Sequence, residues 1–361
     1  MPFDSGNITL TFFRLPASLP ENVLDLLHAG RAGLLDSVKS EPVYGWVSGR
    51  HLLESDINEE TAICGGHIYV NLRKAERKIP STLLTAICRR EELVFMQAND
   101  CTVVPRKVRR QIKQDAMEKH LMKMPPSLTA TPVVIDKNSN NLYLGTASNA
   151  QIDDFVSKFI NAVGIEPHQI TPEYIMEVEM NSTSFDIPIL TIADENDDTG
   201  YPTPSTPARD FLTWLWYYME NEGEMLEIED LGLFGVCVDG PLTFAYSDND
   251  RGETTIKKGN PLRSPEAQTA LTIGKKLKKS KLMIARDTQI WSCTFDADKF
   301  AFSGLTLPEG EEMGDVHSVF EERITNIEIF RKVITAFFVK YVNLATSDDW
   351  KDTEAKIVKG A

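Results

Sequence analysis

Arg106, Arg109, Arg110 and Lys113 are spaced i, i+3, i+4 and i+7. On an α-helix that spacing stacks four cations on one face. Like charges packed this way repel each other, and a polyanion removes the penalty while releasing its own counterions. The chemistry on offer is therefore the holding of phosphates. The wider stretch from Arg73 to Lys123 holds thirteen Lys/Arg against six Asp/Glu, a net +7, and includes Lys74, Arg77, Lys78 and Lys107. A second stretch, Ile256 to Arg286, holds nine Lys/Arg against Glu266 alone, a net +8. Lys275, Lys276, Lys278, Lys279 and Lys281 form its densest part.

These two runs sit in a chain of 361 residues whose formal net charge is −15. Taken whole, that charge repels nucleic acid. Partitioned, the 279 residues outside the two runs carry −30. An acidic remainder around basic faces confines a polyanion to one place. Solvated basic faces are the plainer alternative, because helix C-termini favour cations in any case. Zinc-finger spacing, an RNP-type aromatic pair and a helix-turn-helix pattern are all missing from the sequence. Binding through phosphates alone carries no base information, so non-specific contact is the expectation.

Catalytic patterns are poor. The sequence has no P-loop, G-x-G-x-x-G, G-x-S-x-G or H-E-x-x-H. The six histidines form no ligand pair, and the five cysteines lie apart without C-x-x-C, as reduced core thiols do. Asp194, Glu195, Asp197 and Asp198 read as a solvated acidic loop, and Asp248, Asp250 and Glu253 as a turn without EF-hand spacing. No catalytic residue, metal ligand or cofactor is assigned. Two other functions stay open: a metal-dependent exonuclease, which needs carboxylates on rigid elements beside the basic surface, and a module binding an acidic protein. Trp214, Trp216, Tyr217 and Tyr218 could stack bases, but their helical period beside Phe211 and Leu215 favours core packing.

The elements that must position these residues interleave without a regular βαβ rhythm, so the expected class is α+β. Strands are expected near Asn7–Phe13, Gly66–Leu72, Val133–Asp136, Asn141–Gly145, Gly232–Val238, Leu242–Tyr246, Thr254–Lys257, Leu282–Ala285 and Ile290–Phe295. Helices are expected over Leu19–Val38, Ser81–Phe95 and Pro105–Lys123, and over Asn149–Val163 with a capping box at Ser148 and Gln151. Another starts at Thr206-Pro207, another runs from Ser264 to about Lys279, and a long aromatic one spans Val316–Leu344. Residues 181–207, polar and proline-rich, read as a linker or long loop. The N-terminal stretch lacks a signal-peptide pattern, and Val333–Val339 is far too short to cross a membrane. A cytoplasmic, membrane-free protein is expected.

Several pieces recur in a particular order: Gly45-Trp46-Val47, the run Arg73 to Ser81, the basic helix, Pro132 to Asp136, and Asn141 to Ser148. In this order and spacing the chain resembles the bacterial recombination-associated RdgC family, most clearly over about residues 7–170. The resemblance implies a horseshoe-like monomer that closes with a second copy into a ring-shaped homodimer. Its central part would be residues 1–72 plus 128–180, its tip 73–127 and its base 181–361. The ring would enclose duplex DNA, or take single-stranded DNA, without sequence preference, associate with the nucleoid and antagonise the RecA recombinase. The DNA-binding positions would be Arg73, Lys74, Arg77, Lys78, Arg106, Lys107, Arg109, Arg110, Lys113, Lys275, Lys276, Lys278, Lys279 and Lys281. Leu121, Met122, Met124, Pro125 and Pro126 would form an apolar gate contact between tips, with Met and Pro supplying the surface.

Overall fold

The computed structural model describes residues 2–183, 187–190, 206–223, 225–246, 249–257, 264–310 and 315–360, with side chains left aside at 249–251 and 358–360. The acidic loop of residues 194–199, Pro202, Pro204, Asp248, Lys258 and Arg263 lie outside the described residues.

The strands in chain order are β1 (Ile8–Arg14), β2 (Val43–Ser48), β3 (Ile63–Cys64), β4 (His67–Glu76), β5 (Ser127–Asp136), β6 (Asn141–Leu144), β7 (His168–Gln169), β8 (Leu226–Ile228), β9 (Gly232–Tyr246), β10 (Asn249–Ile256), β11 (Lys276–Arg286), β12 (Gln289–Asp296) and β13 (Ala301–Thr306). The helices are α1 (Val23–Ala29), α2 (Glu59–Ala62), α3 (Ser81–Ala98), α4 (Arg106–Leu121), α5 (Asn149–Val163), α6 (Pro172–Tyr174), α7 (Pro207–Tyr217), α8 (Pro265–Thr272), α9 (Val316–Ala345) and α10 (Trp350–Gly360). The class is α+β, with antiparallel pairing through a large sheet. The chain divides into two compact units, one of residues 1–19, 63–68 and 132–361, the other of residues 20–62 and 69–131.

The larger unit is a sheet in the order β10-β9-β11-β12-β13-β1-β6-β5. Its core is aromatic. Phe302 lies 5.0 Å from Phe330 of α9, Phe211 of α7 lies 5.3 Å from Phe338, and Trp214 lies 5.6 Å from Tyr341. Phe211, Leu212, Trp214 and Leu215 are fully buried, so the aromatic face of α7 packs inward as its period predicts. On the same logic Phe155 and Phe159 turn the amphipathic α5 onto Phe13 of β1. Gly164, at φ +79°, ends α5 in the left-handed region that glycine enters freely. At its other end the expected capping box does not form. Thr146 Oγ1 donates to Gln151 Oε1, and the Ser148 side chain makes no cap bond.

The smaller unit pairs β2 with β4, from Val43 against Ala75 to Ser48 against Val70, and carries the hairpin of α3 and α4. Gly45 leaves no room for a side chain, since a Cβ there would stand 2.3 Å from Ala32 Cα. The helix expected over Leu19–Val38 is only α1 plus a 3-10 turn at Leu35–Ser37. Gly30 closes α1, and Arg31 then bridges to Trp46. Packing of that segment against β2 outweighs the helical spacing of its leucines.

Two further differences bear on function. The helix begun by Ser264, whose Oγ accepts from Ala267 N as expected of a cap, stops at Thr272. Gly274 follows at φ +83°, and the lysines from Lys276 to Lys281 belong to β11. Residues 232–246 form one strand where two were expected, long enough to pair with β11 along most of its length.

Candidate nucleic-acid interface

Helix α4 follows Pro105, which fixes the backbone at its entry and has no N–H to leave unpaired. Val104 and Ala116 are buried and Val108 and Ile112 half-buried, a stripe at helical spacing that seats α4 on α3. The basic residues fall elsewhere on the cylinder. Arg106, Lys107, Arg109, Arg110 and Lys113 are all exposed. Arg106, Lys107, Arg110 and Lys113 form no hydrogen bond or ion pair among the described residues.

Helix stability does not explain this arrangement. Arg106 and Lys107 occupy the first turn of α4, which contains no acidic residue. That end of a helix carries the positive pole of its dipole, where cations are disfavoured. The acids of α4 do not compensate either, since Asp115 accepts from Gln111 at 2.8 Å and Glu118 from Gln114 at 3.1 Å. The result is a concentrated field of positive charge facing water, suited to phosphate oxygens.

Arg109 differs from its neighbours. Its Nε lies 3.0 Å from Glu92 Oε1 of α3, and Arg89 Nη1 lies 3.4 Å from Glu92 Oε2. Glu92 is buried, while both arginine side chains are more than half exposed.

Arg73 and Arg77 point inward. Arg73 donates to Gly33 O at 2.6 Å and Leu52 O at 3.1 Å, and burial lowers its pKa. Arg77 donates to Val38 O at 2.8 Å, to Leu35 O at 3.2 Å and to Met124 O. Arg73 of β4 and Arg77 just after it tie loops to this strand by satisfying backbone carbonyls. Lys74 lies 5.5 Å from the Tyr44 ring centroid, and the exposed Lys78 pairs with Glu76 at 2.5 Å. Of the five apolar positions after α4, Met122 and Pro125 are exposed, while Leu121, Met124 and Pro126 are half-buried.

Among the described residues, the second basic run is engaged within its own unit except at Lys257 and Lys281. Lys275 donates to Thr254 Oγ1 at 2.7 Å and lies 5.2 Å from the Tyr246 ring centroid. Lys276 meets Asp210 at 2.6 Å, both buried, and Lys279 meets Asp296 at 2.9 Å. Lys278 lies 3.4 Å from Asp298, whose other partner is Arg209 at 2.7 Å. Burial pushes the Asp298 carboxyl up, but the Arg209 bonds and Lys278 outweigh it and hold the pKa below the ordinary value. For Asp210 burial wins over Lys276, and the carboxyl is raised. Lys281 is half-buried, and Lys257 is exposed.

No local signal in the sequence marks Asp210, Asp296 or Asp298 as partners of these lysines. Asp210 is 66 positions before Lys276 and meets it only through the packing of α7 on β11. Among the described residues no group of three or more His, Cys, Asp or Glu is placed to hold a metal ion. No helix among them is long and apolar enough to cross a membrane.

Residues 10–181 match the model of the RdgC family, described as "Putative exonuclease, RdgC". The match covers the same ordered segments that carry the resemblance in the sequence. No curated protein matches the chain.

Proposed function

We propose, for a chain matched to the RdgC family through residues 10–181, that it binds DNA without sequence preference and does so chiefly through the exposed face of α4. The observation carrying this reading is the set of four cations, Arg106, Lys107, Arg110 and Lys113, that lack intramolecular partners among the described residues and begin at the wrong end of a helix for dipole stabilisation. Their phosphate contacts position DNA without reading its bases. Lys281 and Lys257 are the described members of the second run without a side-chain hydrogen bond or ion pair.

The assembly proposed with this activity is a ring-shaped homodimer enclosing duplex DNA, a nucleoid-associated protein that occupies DNA and so antagonises RecA-mediated recombination. The apolar positions Leu121, Met122, Met124, Pro125 and Pro126 would supply one contact between copies. The reading assigns binding without strand cleavage. End-labelled duplex should stay full length with Mg²⁺ or Mn²⁺, and shortening that disappears on replacing a specific carboxylate would overturn that part.

The test of binding is fluorescence anisotropy with several unrelated duplexes. Affinities should be similar across sequences and fall with salt, with a slope near −0.9 per phosphate neutralised. The variant R106E/R110E/K113E should lose binding while keeping the wild-type circular dichroism spectrum. Normal binding by that variant would remove α4 from the interface.

A further inference from the structure

Glu92 faces a guanidinium from each helix of the hairpin and is itself 9% exposed. The dependence within this trio is one-sided. A buried carboxylate needs its cations, because an unpaired charge out of water is costly. The arginines do not need the carboxylate in the same way. Arg109 and Arg89 keep 56% and 62% of their side-chain surface in solvent, so water can replace Glu92 around them. A phosphate oxygen offers an arginine the same chemistry as a carboxylate oxygen, a charge-assisted acceptor at hydrogen-bond distance.

We infer that Glu92 is an internal competitor for phosphate: it holds Arg109, and more loosely Arg89, at the hairpin seam and so lowers the number of arginines the basic face offers to DNA. This inference rests on the DNA reading and adds a positioning residue to it. In the free protein Arg109 is turned toward Glu92, while Arg106, Arg110 and Lys113 on the same helix have no such partner among the described residues. DNA can recruit Arg109 only by parting it from Glu92, so its contact contributes less than that of a cation with nothing to give up.

The substitution Glu92→Gln keeps the shape and one acceptor oxygen while removing the charge and the second acceptor. Binding to one duplex is measured by anisotropy from 50 to 200 mM salt. E92Q should bind more tightly than wild type, and its salt dependence should be steeper by about 0.9 for each arginine released. For one arginine, the advantage over wild type should then shrink roughly threefold across that fourfold salt range. Adding Arg109→Gln to E92Q should abolish most of the gain.

An E92Q protein that is folded and matches wild type in affinity and slope would overturn the inference. So would weaker binding accompanied by a lower melting temperature, which is what a purely structural role predicts. Two variants at exposed positions test the same point without replacing the buried carboxylate. R110Q should flatten the salt slope by about 0.9, and R109Q by clearly less, because Arg109 begins partnered. Equal losses from the two would count against Glu92 as a competitor even if E92Q fails to fold. Wild-type protein that binds no duplex at low salt would instead sink the DNA reading itself, an outcome distinct from a binding wild type that E92Q merely equals.

Discussion

The two lysine- and arginine-rich runs look alike as strings and differ as surfaces. In the first, α4 turns Arg106, Lys107, Arg110 and Lys113 outward with no acid to meet them among the described residues. In the second, β11 threads Lys276, Lys278 and Lys279 past Asp210, Asp298 and Asp296 of the same unit. A net charge of +7 and one of +8 therefore mean different things. What makes a cation available to a partner is the absence of an internal acid, and only the folded chain shows that. The α4 part of the first run turns its cations to solvent, whereas most of the described second run is part of the structure.

That contrast can be broken first at its strongest point. Replacing Lys276 with Met leaves Asp210 buried beside an apolar side chain. The loss on removing one partner of a buried pair is about 3–5 kcal/mol, and urea unfolding would read it. A loss under about 1 kcal/mol would mean the pair is better solvated than its burial indicates.

Arg77→Met comes next. It strips several backbone carbonyls of a charged donor. The expected loss is about 1.5–3 kcal/mol, the range for hydrogen bonds to charged groups, again by urea unfolding. Unchanged stability would show that water replaces the guanidinium at those carbonyls.

The acid limb of the stability curve gives a smaller effect. Burial raises Glu328, but the Arg331 and Tyr143 bonds outweigh it, so its pKa, like that of Asp298, lies below the ordinary carboxylate value. A carboxyl with a depressed folded pKa stabilises above its unfolded pKa, about 4, and that contribution is lost as pH falls through the folded pKa. Melting temperature should therefore drop as pH is taken below about 4, and Asp298→Asn should make the drop shallower. An acid limb unaltered by that substitution would show that the Arg209 and Lys278 contacts do not stabilise the carboxylate.

Smallest of all should be the effect on stability of Arg110→Ala, within about 0.5 kcal/mol. A larger loss would mean that α4 depends on the very residue assigned to the surface.

Much of the architecture is legible in the sequence where a periodic pattern and a stop signal agree. Helix α5 is bounded as expected because Phe155 and Phe159 supply the period and Gly164 the end. Helix α9 shows in the spacing of Phe320, Ile324, Ile327, Phe330 and Phe337. Legibility fails where local preference and tertiary pairing disagree. Lys275, Lys278 and Lys279 have helical spacing, yet Gly274 ends the helix and β9 and β12 recruit the segment as a strand. The strands β2 and β13 carry weak periodic signals and are set by their neighbours. At the candidate site, the stacking of cations on α4 follows from spacing alone. The inward turn of Arg73 and Arg77 does not, because their carbonyl partners lie about 20 to nearly 50 positions away in the chain.

The most direct test of the central claim is the salt slope of DNA affinity for the neutralised variant R106Q/R110Q/K113Q set beside wild type. With three phosphate contacts removed, the slope should become shallower by about 2.7, with melting temperature unchanged. A slope equal to that of wild type, in a protein that is folded and still binds, would contradict the assignment of α4 as the DNA-binding surface.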